Sequence, residues 1–230
     1  IVLPACILPA QAQFSNFTTA NSNLPSDYVC GGVTVDQNNH IWVGTDAGVA
    51  MYDGSAWTTY TTSDGLPSDI ITCLAVDKNN NIWIGTDGDG VAKFNGTTWT
   101  VYNYADGLVD NGIHAIACAP DSSLWFGSWG AGVSRLKGST WTTFNDGNGF
   151  ITDGFSMASV YDITCDAASN IWLGTDLGLV KYNSTSFTAF DQSGLPDLRS
   201  NYITAVAVDA ANNKWLGVSA KGMAKLNASN

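Results

Sequence analysis

The stretch that decides the fold runs from Asn80 to Leu108 and reads NNIWIGTDGDGVAKFNGTTWTVYNYADGL. Three apolar or aromatic runs (IWIG, VAKF and WTVY) alternate in it with turns rich in Asp, Asn and Gly. Short runs of this kind predict β-strands, and Asn and Gly at the junctions tolerate the positive φ of tight turns. The stretch therefore predicts consecutive antiparallel strands.

The same pattern recurs along the whole chain of 230 residues. Its central motif occurs as IWVG from Ile41, IWIG from Ile82, LWFG from Leu124, IWLG from Ile171 and KWLG from Lys214. An apolar strand such as ITCLAVD precedes each copy, and an aromatic strand such as WTTYTT follows the first four. Four short strands repeated about every forty residues predict an all-β fold, a five-bladed β-propeller with four antiparallel strands per blade.

The fifth repeat lacks its aromatic strand, and a matching strand occurs at the other end of the sequence. FSNFTTANSNLPSD, from Phe14, aligns with WTTYTTSDGLPSD, from Trp57. We therefore predict that residues 14–26 supply a closing strand and connector, so that the N-terminal strand completes the C-terminal blade. Residues 14–230 then form a single five-bladed propeller.

Two aromatic columns follow from the alignment of the repeats. The first column is Trp42, Trp83, Trp125, Trp172 and Trp215, and the second is Trp57, Trp99, Trp141 and Phe187. A large residue at a fixed repeat position is expected to fill the space between blades, because each blade must bury two apolar faces.

Composition excludes several classes of partner. Nine Lys and Arg against twenty acidic residues give a net charge of −11, which disfavours nucleic acid and anionic membrane surfaces. No run approaches the roughly 18 apolar residues of a membrane span. We also find no C-x-x-C pair, G-x-S-x-G or H-E-x-x-H motif, so we expect no catalytic residues, no metal, no cofactor and no enzyme activity.

The two histidines and the cysteines carry little chemistry in this pattern. His40 falls in a turn, and His114 falls in a strand expected to line the central channel. Cys118 and Cys165 occupy the repeat position of Val35 and are expected to be small core residues. The sequence leaves open whether Cys6, Cys30 and Cys73 form disulfides.

Departures from the repeat provide the candidate binding residues. Trp129 replaces the turn aspartate in SWGAG, and an exposed indole is costly unless it is covered or used. The longer fourth connector brings Phe150, Phe155 and Met157 to the same face. These four residues are predicted to form a ligand or partner patch, or alternatively the loop packs on Trp129.

Three aspartates recur in the turn between the second and third strands of their repeats: Asp46, Asp87 and Asp176. Carboxylates around one rim are suited to a cation or a cationic partner. The alternative is that each satisfies backbone N–H groups of its own turn.

The first thirteen residues, IVLPACILPAQAQ, lie outside the repeats. The A-Q-A near their end resembles a signal-peptidase site, and LPAC loosely resembles a lipid-anchor motif at Cys6. If the segment is retained, its apolar residues are predicted to bind a second copy by strand addition, giving a homo-oligomer. Those assembly residues are Ile1, Val2, Leu3, Ile7 and Leu8.

The stretch from Asn80 to Leu108 closely resembles the two-component regulator propeller repeat, and the resemblance extends over residues 14–230. It implies a bacterial protein that is secreted, extracellular or periplasmic and recognises an extracellular ligand, often a glycan. The family's sensor regions usually carry more blades and continue into a membrane span and a kinase, so we expect a role without signalling. Two functions remain: a non-enzymatic structural and interaction module that self-assembles through its N-terminal segment, or a ligand-binding, sensor-like or lectin-like propeller.

Overall fold

The computed structural model describes residues 15–145, 147 and 158–228. In these ranges the chain forms nineteen β-strands. They are β1 (Gly32–Val35), β2 (Ile41–Thr45), β3 (Gly48–Tyr52), β4 (Trp57–Tyr60), β5 (Ile71–Val76), β6 (Ile82–Thr86), β7 (Val91–Phe94), β8 (Trp99–Tyr102), β9 (Ile113–Cys118), β10 (Leu124–Ser128), β11 (Val133–Lys137), β12 (Thr140–Phe144), β13 (Val160–Cys165), β14 (Ile171–Thr175), β15 (Gly178–Tyr182), β16 (Phe187–Phe190), β17 (Ile203–Val208), β18 (Lys214–Val218) and β19 (Gly222–Leu226). Short 3-10 helices Thr62–Asp64, Tyr104–Asp106 and Pro196–Leu198 lie in the connectors.

The strands form five antiparallel sheets, each in simple chain order. Four sheets have four strands (β1–β4, β5–β8, β9–β12 and β13–β16), and the fifth has three (β17–β19) among the described residues. The first strands of the sheets, β1, β5, β9, β13 and β17, contact one another in that order. The all-β prediction is therefore confirmed, and four strands per sheet are confirmed for four of the five sheets.

The first tryptophan column packs between the sheets, as predicted. Trp42 packs against Ile82 and Phe94 of the next sheet, and Trp83 and Trp125 are buried in the same way. Trp172 is fully buried against the fifth sheet. Trp215 is the exception, because its side chain is 39% exposed.

The indole N–H of each tryptophan in this column donates a hydrogen bond to a side chain in the turn between the first and second strands of its own sheet. Asp77 accepts the N–H groups of Asn79 and Asn81 in its own turn, and its other oxygen accepts the indole N–H of Trp83 at 2.9 Å. The same bond joins further pairs: Asp36 to Trp42, Asp166 to Trp172 and Asp209 to Trp215. The predicted hairpin turn is confirmed, and its aspartate also fixes the adjacent core residue.

The glycine of the I-W-x-G motif permits two sheets to approach closely. A Cβ built on Gly174 would lie 2.9 Å from the carbonyl oxygen of Ile203 in the next sheet. The corresponding Cβ on Gly217 would meet only its own sheet, at 3.2 Å from Ala205. The close spacing between neighbouring sheets therefore depends on this glycine at the internal contacts and not at Gly217.

Gly174→Ala is expected to lower the free energy of unfolding by about 1–3 kcal/mol, because the methyl group has no room beside rigid backbone. Gly217→Ala is the matched control and should cost clearly less. Urea unfolding of the two variants checks the difference. Equal losses would show that the close approach at Gly174 does not limit packing.

The first described residues lie against the first sheet. Phe17 contacts the rings of Tyr52 and Trp57 at 5.7 and 5.4 Å. Tyr60, of the first sheet, makes the equivalent contacts with Phe94 and Trp99 of the second sheet. Leu24 is buried against the first sheet as well. Residues 15–22 form no strand, and Phe17 makes no ring contact with Trp215, so closure of the fifth sheet by residues 14–26 stays a prediction.

Candidate functional site

We call the end of the molecule that carries the connectors and the turns between second and third strands the upper face. Backbone hydrogen bonds join each such turn to the adjacent connector or strand start. Asp87 N–H donates to Ile70 O at 3.3 Å, and Trp129 N–H donates to Gly112 O at 3.3 Å. The described part of the upper face is therefore held together by backbone bonds, which gives its side chains fixed positions.

Four aromatic side chains form a connected row on the upper face. His114 contacts Trp129 with ring centroids 4.8 Å apart, and Trp129 contacts Tyr161 at 5.8 Å. Tyr161 then contacts Tyr202 at 4.8 Å, and the two hydroxyls share a hydrogen bond of 2.6 Å. We call these four residues the aromatic row, and it crosses the third, fourth and fifth sheets.

The aromatic row is open to solvent at its outer side and reaches the channel at its inner side. Trp129 is 59% exposed and Tyr202 is also exposed. His114 and Tyr161 line a cavity of about 240 Å³ between the first strands, together with Cys30, Thr72 and Asp162. His114 thus lies in a first strand beside this cavity, and its place at the central channel of a closed ring stays a prediction.

Burial disfavours the charged forms of His114 and Tyr161. It lowers the pKa of His114, against the opposing charges of Asp87 and Asp110. It also raises the pKa of Tyr161 to about 12, with a further contribution from the hydrogen bond to Tyr202. At neutral pH the row therefore presents neutral π faces and hydroxyl groups.

The predicted turn aspartates lie on the upper face but differ in their surroundings. Asp46 and Asp87 are exposed, and neither side chain accepts a hydrogen bond from the described residues. Asp176 is half-buried and accepts the N–H of Ser159 at 3.0 Å. Asp176 therefore holds a backbone N–H group of the preceding connector and not one of its own turn, whereas Asp46 and Asp87 are available to a partner.

Carboxylates dominate the described part of the upper face. The described aspartates of its turns and connectors are Asp27, Asp46, Asp64, Asp69, Asp87, Asp89, Asp106, Asp110, Asp176, Asp191 and Asp197. The described cations of the same segments are Arg199 and Lys221. Turn aspartates of the opposite face accept hydrogen bonds from tryptophan and backbone N–H groups. Many upper-face aspartates, such as Asp64, Asp69 and Asp106, likewise accept backbone N–H groups of their connectors.

Several predicted residues lie outside the described part of the chain. They are Phe150, Phe155, Met157, the assembly residues Ile1, Val2, Leu3, Ile7 and Leu8, and Cys6. The patch predicted around Trp129 is therefore described only at Trp129 itself. The described cysteines, Cys30, Cys73, Cys118 and Cys165, are free thiols.

Two members of the aromatic row escaped the sequence reasoning. Tyr161 occupies the repeat position of His114, which is threonine in two other repeats (Thr72 and Thr204), and that bulky substitution was the available signal. Tyr202 belongs to a connector whose placement depends on the tertiary fold.

No group of His, Cys, Asp or Glu in the described ranges is arranged to hold a metal ion. Nor is any helix there long and apolar enough to cross a membrane.

Antiparallel sheets packed in series around a central channel define a protein of the β-propeller class. Residues 65–88 match the family model described as two component regulator propeller, which confirms the resemblance seen in the repeat. No curated protein sequence matches the chain.

Three solved structures illustrate the likeness. The extracellular domain of a putative hybrid two component system from B. thetaiotaomicron is 23% identical with a TM-score of 0.74, covering 86% of this chain and 27% of that chain. PorZ, an essential bacterial surface component of the type-IX secretion system of Porphyromonas gingivalis, is 19% identical with a TM-score of 0.70, covering 94% and 34%. A streptogramin B lyase is 13% identical with a TM-score of 0.65, covering 90% and 71%.

At these identities the likeness shows the fold alone. The chain spans about a quarter to a third of the length of the first relatives it matches. Because a lyase shares the fold with regulator and surface proteins, function has to be argued from the side chains of this chain.

Proposed function

We propose that the chain is a non-enzymatic interaction module, extracellular or periplasmic, that binds a ligand or partner protein on its upper face. The observation that carries the proposal is the exposed aromatic row, with Trp129 at its centre. Exposed rings in fixed positions at the mouth of a cavity are a common basis of ligand recognition. The location is supported by relatives named as extracellular domains and as a bacterial surface component.

The chemistry around the aromatic row supports binding rather than catalysis. His114 touches Trp129 and forms no hydrogen bond to a nucleophile among the described residues. The hydroxyl of Tyr161 is bonded to Tyr202 and has a raised pKa, so it is a poor nucleophile and base. The row therefore offers surface and hydrogen bonds without an activated group.

Trp129→Ala is expected to abolish most ligand binding without unfolding the protein, since the indole is largely exposed. An array that carries glycans and peptides, probed with the wild type and the variant side by side, checks this. Glycans are included because sugar rings stack on exposed aromatic faces and because the family resemblance implies them. Asp53→Asn, in a turn on the opposite face, is the control that should keep every signal.

An array without signals would count against the proposal. Signals that persist in Trp129→Ala would place the binding site elsewhere.

Self-assembly is a second candidate function, and exposed apolar residues on the first and fifth sheets favour it. At each internal contact a tryptophan-bearing face packs on the apolar face of the next sheet. Met223, 72% exposed beside Trp215, lies on the fifth such face, and Val33, 61% exposed, lies on the first sheet. These faces are complementary, and they can join within one copy or between copies head to tail.

We expect assembly through these faces, aided by the N-terminal segment with Ile1, Val2, Leu3, Ile7 and Leu8, to give particles larger than the 24.3 kDa chain. Val33→Asp should reduce the particle to a single chain, because it places a charge on the apolar face. Light scattering coupled to size-exclusion chromatography measures the particle mass of the wild type and of the Val33→Asp variant. A wild type that is already a single chain would remove self-assembly as a function.

A further inference from the structure

The occupant of the aromatic row can be inferred from the charges that surround it. Asp87 and Asp110 act electrostatically on His114, and Asp176 acts on Tyr161. In the described turns and connectors of the upper face, the basic residues are Arg199 and Lys221. The π faces of the row are thus set in a negative potential, which favours a cation over them.

Of the carboxylates that act on the row, Asp87 is free to pair with a partner, and Asp89 lies two residues further along the same turn. Asp87 and the neighbouring Asp89 are exposed, and neither accepts a hydrogen bond from the described residues. On the opposite face, by contrast, Asp77 is already bonded to Trp83, Asn81 and backbone N–H groups. Asp87 and Asp89 therefore retain full capacity to attract and bond a cationic group.

The dimensions of the surface favour a polypeptide over a small amine. The aromatic row crosses three sheets through ring contacts of 4.8, 5.8 and 4.8 Å, so a single ammonium group covers only one ring. The acidic residues extend beyond the row along the same face. An extended segment with several basic side chains matches both features.

We propose that the aromatic row is a docking surface for a basic polypeptide segment of a partner protein. A lysine or arginine side chain lies over the indole of Trp129, and neighbouring basic side chains pair with Asp87 and Asp89. The inference rests on the proposed function and specifies the chemistry of the partner. It also agrees with the net charge of −11, which attracts basic partners at long range.

Fluorescence anisotropy of labelled heptalysine at physiological salt tests the inference. We expect Trp129→Ala to weaken binding about tenfold, the effect of losing a desolvated cation–π contact. Trp129→Phe should recover part of the affinity, since phenylalanine keeps a weaker π face. Asp87→Asn combined with Asp89→Asn should weaken binding severalfold, whereas Asp53→Asn, which removes one charge from the opposite face, should leave it unchanged.

Two outcomes would overturn the inference. Absence of heptalysine binding would do so, and so would binding that Trp129→Ala leaves intact, because that shows attraction by net charge alone. If heptalysine fails while a neutral oligosaccharide binds and depends on Trp129, the proposed function stands and the basic partner is wrong. If no array probe depends on Trp129, both fail.

Discussion

Asp166→Ala is expected to lower the free energy of unfolding by about 3–5 kcal/mol, because it leaves a buried ammonium group without its counter-charge. Lys214 is only 1% exposed, and its Nζ lies 3.6 Å from the Asp166 carboxylate. The same carboxylate accepts the indole N–H of Trp172 and the amide of Asn170. The substitution therefore disrupts the contact between the fourth and fifth sheets, and urea unfolding measures the loss.

Asp209→Ala is the matched control for Asp166→Ala. Asp209 occupies the same turn position and bonds Trp215 and Asn213, but no buried cation depends on it. Its loss should be clearly smaller. If both substitutions cost the same, the ion pair with Lys214 contributes nothing beyond the turn bonds.

The pH dependence of stability gives an independent signature of Asp166. Burial alone would raise its pKa, but the hydrogen bonds from Asn170 and Trp172 and the charge of Lys214 together hold the pKa below its ordinary value of 3.8. Since the folded pKa is depressed, this stabilisation is present above the unfolded pKa and is lost as the pH falls through the folded pKa. Asp166→Ala should therefore flatten the fall in stability at pH values below 3.8.

Trp83→Ala has the second large expected effect, a loss of about 3–5 kcal/mol in the free energy of unfolding. Trp83 is 2% exposed, and its ring packs on Tyr102 at 5.5 Å and Phe126 at 5.4 Å. Its removal opens a cavity between the second and third sheets and withdraws a hydrogen bond from Asp77. Urea unfolding of the purified variant measures the change.

Trp215→Ala is the control at the same repeat position. Trp215 is more exposed and keeps mainly its hydrogen bond to Asp209, so we expect a loss of about 1 kcal/mol. A loss as large as that of Trp83→Ala would mean that the fifth sheet's outer face is covered in solution. That result would favour closure of the ring or assembly of copies.

The repeat made the fold predictable to a large extent. Trp83, Gly85 and the DKNNN turn recur at fixed spacing, so periodicity alone located the strands, the inter-sheet tryptophans and the hairpins. These features depend on local turn chemistry and on burial of alternate faces, which the sequence carries directly.

The remaining features depend on contacts between repeats. Lys214 occupies a position that is Ile82 or Ile171 elsewhere, and only the fold shows that Asp166 of the preceding sheet balances its charge. The aromatic row likewise joins residues far apart in sequence, so only His114 and Trp129 could be singled out beforehand. The predicted closure requires residues 14–26 to pair with β19. Among the described strands, β19 pairs with β18 alone.

Hydroxyl-radical footprinting with and without heptalysine tests the central claim most directly, that partners bind on the upper face. Mass spectrometry resolves oxidation at Trp129, on the aromatic row, and at Trp215 and Met223, on the open face of the fifth sheet. The account predicts that heptalysine slows oxidation of Trp129 severalfold and leaves Trp215 and Met223 unchanged. Protection of Trp215 and Met223 with Trp129 unaffected would contradict it.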